Sequence, residues 1–325
     1  MGRCAQDKVS PIFIPGNARP VPPVGPQILG DMIQFRQELI PVPPVGPQIL
    51  GDMIQFRQEL MYPYNLSDFT EITSAKPLHD QPLPFRLPFF GFWYHYIWIQ
   101  RDGYLAFNKG LLSYKFPVKF PFVPKDNLME EDPSMIAPWF AQQDIPTEVP
   151  HAGVYLKIVN LESEQNITLR DRIYYDFRED ATCGYRIYYD FREGMIGASD
   201  FKPKFALIIT WRNMTMVNRR PEMPLVTNTY QCVLATDEIR TYAMFNYEQI
   251  QWITHQDNYE GLKGSAAYVG FNAGDTSHTY EFKPYSQNPL VSYLTTRGCG
   301  NGLRGRYFFQ IDGEVWPGAC VEKAL

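Results

Sequence analysis

From about residue 61 onward, short apolar and aromatic runs alternate with turn residues, and few runs have a helical period. Residues 94–99 and 104–107 are rich in residue types that favour strands. Asp102-Gly103 lies between them and favours a tight hairpin, because both residues tolerate positive φ. Further strands are predicted at residues 154–159, 205–211, 230–235, 240–247, 266–271, 279–282 and 306–311, with a turn at 236–238.

One helix is indicated after residue 287. Asn288 can cap it, Pro289 suits its first turn, and Gly298 can end it. Because many strands are joined by turn residues and few helices are signalled, the pattern favours a mainly β fold. We therefore expect an antiparallel β-sandwich with a few short helices.

The first 60 residues differ from the rest of the chain in composition and in repetition. They are rich in proline, and residues 20–39 are repeated without change at 41–60. Residues 28–39 and 49–60 carry apolar positions at roughly helical spacing, so each could form one apolar face. A pocket that accepts one copy cannot accept both, so either one copy docks or both stay loose. A second exact echo places RIYYDFRE at 172–179 and again at 186–193.

Composition narrows the class of protein. The 30 basic and 35 acidic residues give a net charge of −5, which argues against nucleic acid as a partner. The longest apolar candidate, residues 89–99, contains His95 and is too short to span a bilayer. Hydrophobic residues make up 45% of the chain, enough for a core.

No arrangement of residues indicates catalysis or a cofactor. The glycines at 300, 302 and 305 match a dinucleotide fingerprint in letters, but a helix precedes them and a strand follows, so we interpret them as a loop. The five histidines are scattered singly, which predicts no metal site. Asp275, Ser277 and His278 crowd one turn and are expected to form a polar hairpin tip, since triad members converge from separate elements. Residues 130–132 are acidic but lack the spacing of a calcium loop.

The sequons favour the secretory route, and the cysteines leave their pairing open. Asn65, Asn166 and Asn213 each begin an N-x-[ST] triplet and are the predicted glycosylation sites. Cys4 lies in the leader and Cys183 lies between the copies of the second echo, which leaves disulfide candidates at Cys232, Cys299 and Cys320. Three is an odd number, so a partner outside this chain stays open, as does the alternative of buried free thiols. Residues 1–13 do not resemble a signal sequence, and we expect the chain to be a fragment.

Several phrases resemble the nidogen-type extracellular domain, often called NIDO, in the order in which that family has them. They are LPFFG (87–91), DGYLAF (102–107), MIAPWFA (135–141), TNTYQCVLATD (227–237), YVGFNAGD (268–275) and GRYFF (305–309). The resemblance covers roughly residues 61–320 and implies cell–matrix or cell–cell adhesion without catalytic residues. It also implies that residues 180–193 are a duplicated insert and that Cys183 is not a family cysteine.

The expected organisation has four parts: a loosely ordered leader (1–60), a β-rich segment (61–131) that packs on the domain, the NIDO-like domain (132–320), and the start of a linker to further modules (321–325). The expected function is a non-catalytic adhesion module, with no cofactor, whose tyrosine- and tryptophan-rich strand faces bury against extracellular matrix or junction proteins. The membrane would be reached only through modules absent from this chain. Two alternatives stay open: a spacer whose aromatics are all core, and a secreted glycan-binding or glycan-hydrolysing domain.

Overall fold

The computed structural model describes residues 59–62, 70–72, 78–108, 120–121, 132–162, 179–219, 221–253, 266–298 and 300–318. Strands dominate these residues. In chain order the elements are β1 (Thr70–Ile72), β2 (Leu78–Phe89), β3 (Phe92–Gln100), β4 (Tyr104–Ala106), β5 (Met135–Phe140), β6 (Gln143–Asp144), β7 (Gly153–Asn160), α1 (Glu179–Gly194), β8 (Phe205–Met216), β9 (Asn228–Thr236), β10 (Thr241–Ile250), β11 (Tyr268–Asn272), β12 (Thr279–Glu281), a 3₁₀ helix (Pro289–Thr295), a second 3₁₀ turn (Gly300–Gly302), β13 (Arg306–Gln310) and β14 (Trp316–Pro317).

Two antiparallel sheets form a sandwich, which confirms the predicted fold class. The large sheet has the strand order β1-β7-β8-β9-β10-β13-β14, and β6 pairs with β8. The small sheet has the order β12-β11-β5-β4-β3-β2. Because β3 and β4 lie in the same sheet as β5, the described parts of residues 61–131 and 132–320 share one sandwich.

Aromatic packing joins the two sheets. The ring of Phe245 on β10 stacks on Phe271 of β11 with 5.3 Å between ring centroids. Phe85 on β2 stacks on Phe205 of β8 at 4.5 Å. Such stacked pairs add about 0.5–1.5 kcal/mol each to the free energy gained by burying their area.

A second apolar layer covers the outer face of the large sheet. Ile187 and Phe191 of α1 are fully buried there against Val233 and Phe308. Because both faces of the sheet are covered, every residue of β9 is buried, so this strand does not alternate between apolar and polar positions.

The hairpin between β3 and β4 is predicted correctly, and its turn depends on Gly103. This residue has φ +81°, and a Cβ added to it would lie 1.9 Å from the carbonyl oxygen of Trp139. Only glycine combines the left-handed backbone with such a close approach.

All the other predicted strands are confirmed, but several elements were not predicted. The predicted helix begins as expected, with Asn288 Oδ1 accepting a hydrogen bond from the Leu290 amide at 3.0 Å, but it is a 3₁₀ helix. The strand β2 carries Pro82, Pro84 and Pro88, a composition that argues against a strand. It forms the free edge of the small sheet, where a missing N–H costs little.

Candidate functional site on the outer face of the large sheet

Four buried polar side chains form a continuous row across the large sheet. Thr210, Gln231, Asn246 and Arg306 lie opposite one another on β8, β9, β10 and β13, and none is exposed to solvent. Gln231 donates to Thr210 Oγ1 at 2.9 Å, Asn246 donates to Gln231 Oε1 at 3.4 Å, and Arg306 Nε donates to Asn246 Oδ1 at 2.9 Å. We call these four residues the polar row. Burying them costs free energy unless their remaining groups also find partners.

Residues 59–62, the docked segment, supply those partners. The Tyr62 amide donates to Gln231 Oε1 at 2.9 Å, and Gln231 Nε2 donates back to the Tyr62 carbonyl at 3.1 Å. Arg306 Nη2 donates to the carbonyl oxygens of Glu59, at 3.2 Å, and Leu60, at 2.5 Å. The segment is therefore bound across the sheet mainly through its backbone.

Helix α1 closes the site from the other side. Arg186 donates to the Met61 carbonyl at 3.0 Å and also to the Glu59 carbonyl, and its guanidinium lies 4.2 Å from the centroid of the Tyr62 ring. Asp190 Oδ2 accepts a hydrogen bond from the Tyr62 hydroxyl at 2.7 Å. Asn301 donates to the other Asp190 oxygen at 3.1 Å.

The site contains two cations and one anion, all buried. Asp190 Oδ2 lies 3.1 Å from Arg306 Nη1 and 3.4 Å from Arg186 Nε. Burial, followed by the Asp190 carboxylate, raises the pKa of the Tyr62 hydroxyl well above its usual value, so Tyr62 stays a hydrogen-bond donor. Burial lowers the pKa of the Arg306 guanidinium, while the Asp190 charge opposes that shift. Removing one partner from such a buried group costs about 3–5 kcal/mol, because the remaining charge loses its compensation.

The two sequence echoes meet at this site. The docked segment contains the last two residues of the second 20-residue copy, Glu59 and Leu60, so the described end of that copy is docked. Residues 186–193, the second copy of the shorter echo, lie in α1 and contribute Arg186 and Asp190. We expected residues 180–193 to be an insert and so did not predict this role, because sequence alone cannot show which of two identical copies contributes to the fold. Of the first copies, residues 20–39 lie outside the described residues, and so do residues 172–179 apart from Glu179, with which α1 begins.

The predicted cysteine sites are only partly described. Cys232 is a free, fully buried thiol on β9, contrary to its place among the disulfide candidates. It faces the inner core among apolar side chains, and burial raises the pKa of its thiol above the usual value. Cys299 and Cys320 lie outside the described residues. Gly300 follows Cys299 directly and Gly318 precedes Cys320 by two residues. A Cβ on either glycine would lie within 3 Å of Phe308 side-chain atoms, at 2.7 and 2.9 Å.

Of the predicted glycosylation sites, only Asn213 is described; Asn65 and Asn166 lie outside the described residues. Asn213 is half-buried at an irregularity of β8, with φ 51° and its amide hydrogen-bonded to Thr229 Oγ1 at 3.0 Å. The hydroxyl of Thr215 is turned inward and donates to the Val226 carbonyl at 3.1 Å.

The turn with Asp275, Ser277 and His278 connects β11 to β12. Both the serine hydroxyl, at 3.0 Å, and Asp275 Oδ2, at 2.5 Å, contact the same histidine nitrogen, Nδ1. A catalytic triad uses the two ring nitrogens separately, so this arrangement is a hydrogen-bonded turn. Burial would raise the pKa of Asp275, but hydrogen bonds from His278 and Ser277 lower it below its usual value. Among the described residues, no group of three or more His, Cys, Asp or Glu side chains could hold a metal ion.

Strand aromatics do not form the expected exposed contact faces. Trp139, Trp211 and Tyr230 are fully buried, because each sheet packs on both sides. The large apolar side chains that are exposed in the described part of the chain are Tyr189, Ile196, Ile239, Leu290, Tyr293 and Trp316, and of these only Trp316 lies in a strand.

Ile196 and Trp316 belong to one region. Ile196 is 80% exposed and Trp316 is 61% exposed. A Cβ on Gly318 would lie 2.8 Å from the Gly194 carbonyl and 3.2 Å from Met195 Sδ, which places the chain after Trp316 beside the chain before Ile196. We call these two side chains the β14 edge.

Comparison with known proteins assigns the family. The nidogen-like domain matches residues 95–313, about two thirds of the chain. The chain belongs to the nidogen-like domain family. The matched range runs from β3 to β13 and so includes the polar row and α1, whereas the docked segment precedes it.

Curated relatives of this nidogen-like chain are longer proteins. "Protein mesh" of Bombyx mori is 36% identical over 271 residues, 79% of this chain and 16% of that protein. "Alpha-tectorin" of Mus musculus is 27% identical over 263 residues, 78% of this chain and 10% of that protein. "Mucin-4" of Homo sapiens is 30% identical over 133 residues, 39% of this chain and 2% of that protein. The chain thus spans less than a fifth of the length of each, and no solved structure matches it.

Proposed function

We propose that this chain is a non-catalytic extracellular adhesion module and part of a Mesh-like, membrane-anchored junction protein. Membership of the nidogen-like family carries the proposal, because that resemblance implies adhesion to matrix or to neighbouring cells. The identity of 36% to Protein mesh over 79% of the chain supports the narrower junction role. Among the described residues, no helix is long and apolar enough to cross a membrane.

The contact surface that we propose is the β14 edge. Strand aromatics are used within the domain, so a partner needs another apolar surface. Exposed Trp and Ile side chains on neighbouring stretches of the chain provide such a surface, because Trp residues buried on binding are frequent energetic centres of interfaces. The partners would be extracellular matrix or junction proteins.

Bead aggregation and retention on matrix proteins test this function. Beads coated with the chain should aggregate or be retained on immobilised matrix proteins. Ile196→Glu with Trp316→Glu should abolish the effect, since two charges would have to be desolvated on contact. Ile239→Glu changes an apolar side chain that is 56% exposed in the turn after β9, and it is the matched control. If beads coated with the unmodified chain neither aggregate nor are retained on matrix proteins, the adhesion function is refuted.

We also propose N-linked glycans at Asn65, Asn166 and Asn213. For Asn213 the proposal is supported by its partial exposure at the β8 irregularity. Secreted protein from animal cells should lose mass on treatment with an N-glycosidase, and each Asn→Gln variant should lose one glycan. Unchanged mass after treatment would contradict it.

A further inference from the structure

The contacts of the docked segment are those of a bound peptide. The polar row and α1 bind the carbonyl oxygens of Glu59, Leu60 and Met61 and both backbone groups of Tyr62. Of the side chains in the segment, that of Tyr62 is the one bound specifically: its hydroxyl donates to Asp190 and its ring packs against the Arg186 guanidinium. The site thus recognises a short segment whose backbone bends at Leu60 and Met61 and which carries a tyrosine at a fixed position.

Tyr62 distinguishes the second copy of the leader repeat from the first, because the two copies are followed by different residues. The second copy ends in Glu59-Leu60 and continues into Met61-Tyr62, whereas the first copy ends in the same Glu-Leu pair and continues into Ile-Pro at 40–41. A proline at the tyrosine position has no amide hydrogen for Gln231 Oε1 and no hydroxyl for Asp190. The first copy is therefore the weaker ligand.

Residues 63–69, the tether, join the docked segment to β1, and their number exceeds what the distance between the two requires. In register, Glu71 of β1 lies opposite Tyr155, Tyr155 opposite Thr210, and Thr210 opposite Gln231. Three strand spacings give about 14 Å from β1 to the Tyr62 site. Eight peptide steps join residue 62 to residue 70, and they can span up to about 27 Å. Docking within one chain is therefore permitted by the tether but not forced by it.

We propose that the docked segment is exchangeable, so that residues 59–62 of one chain fill the site of a second copy. The same contacts form in both cases, so exchange costs only the entropy of association. A short tether gives the chain's own segment an effective concentration in the millimolar range, so isolated chains favour self-docking. Copies crowded on one surface reach comparable concentrations and exchange. The inference names a second copy as one partner of the proposed adhesion module and rests on that function.

Shortening the tether tests the exchange. Deleting residues 64–67 from the full chain leaves four peptide steps, about 14 Å at full extension. This is less than the span once the height of the segment above the sheet is added, so the variant should form a dimer in sedimentation velocity. Adding Tyr62→Ala should return it to a monomer. Tyr293→Ala removes an exposed tyrosine elsewhere and should leave the dimer intact.

A monomeric, folded deletion variant would overturn the proposal, and so would a dimer that persists with Tyr62→Ala. If the deletion variant does not fold, a protease site placed between residues 62 and 70 replaces it. After cleavage of the full chain, peptide RQELMYPY (57–64) should displace the bound fragment, and RQELIPVP (36–43) should do so at least tenfold less well. Equal displacement, or none, would also overturn it. If exchange fails while coated beads still aggregate or are retained on matrix proteins, adhesion stands without it. If dimers form and the beads neither aggregate nor are retained, the adhesion function fails instead.

Discussion

Removing the Tyr62 hydroxyl should destabilise the protein more than removing a comparable buried hydroxyl elsewhere. Tyr62 is fully buried and donates to the Asp190 carboxylate at 2.7 Å. A hydrogen bond to a charged group contributes about 1.5–3 kcal/mol, and a neutral one contributes about 0.5–1.5 kcal/mol. Tyr62→Phe keeps the ring against the Arg186 guanidinium, so the change isolates the hydrogen bond.

Tyr94→Phe provides the matched control for this substitution. The Tyr94 hydroxyl is also buried, but it bonds the neutral Ser134 hydroxyl at 3.0 Å. Urea unfolding followed by tryptophan fluorescence should show about 1–2 kcal/mol more loss for Tyr62→Phe, with the urea dependence unchanged. Equal losses for the two variants would refute the view that Tyr62 is bound by a buried charge. A changed urea dependence would indicate that the docked segment separates before the sandwich unfolds.

Three further predictions concern a turn glycine, a pair of cysteines and the carboxylate of a turn. Gly103→Ala should cost several kcal/mol in the free energy of unfolding, because it adds a steric clash to backbone strain. Gly91 is also at φ +81°, but a Cβ there would have no atom within 4 Å, so Gly91→Ala should cost about 1–3 kcal/mol. Equal costs for the two variants would contradict this prediction. We expect a disulfide between Cys299 and Cys320, which would close a loop of about 20 residues and add about 3 kcal/mol to the free energy of unfolding, so reduction should change electrophoretic mobility and stability. With this disulfide, three of the five cysteines are free thiols under denaturant, and a count of five would rule it out. The pKa of Asp275 is lower in the folded than in the unfolded chain, so its contribution to stability is complete above the unfolded pKa of about 3.9 and is lost as pH falls through the folded pKa. Asp275→Asn should therefore reduce the loss of thermal stability at acid pH. An unchanged acid dependence of the unfolding temperature would contradict this.

Much of the sandwich could be predicted because strand signals are local. The hairpin at Gly103 needed only neighbouring residues, and so did the cap at Asn288. The strand β2 was missed because its prolines argue against a strand in general, and only its place at a free edge makes them acceptable. Helix α1 was missed because an exact echo looked like surplus sequence.

The site itself could not be predicted because its members come from distant parts of the chain. Gln231 and Arg306 become neighbours of Asn246 only through strand register, and Tyr62 joins them from 169 residues away. One signal was present in the sequence: a polar residue stands between apolar ones within a strand, as Gln231 does between Tyr230 and Cys232 of β9. A buried polar residue in a central strand indicates that a partner must cover it.

Native-state hydrogen exchange at the Tyr62 amide tests most directly whether the polar row binds residues 59–62. This amide donates to a fully buried side chain, so its exchange should be slowed to a degree that approaches that of the β9 amides. Gln231→Met, which removes both side-chain partners of the Tyr62 backbone, should speed exchange at the Tyr62 amide while β9 stays protected. Fast exchange at Tyr62 in the unmodified chain would contradict the account.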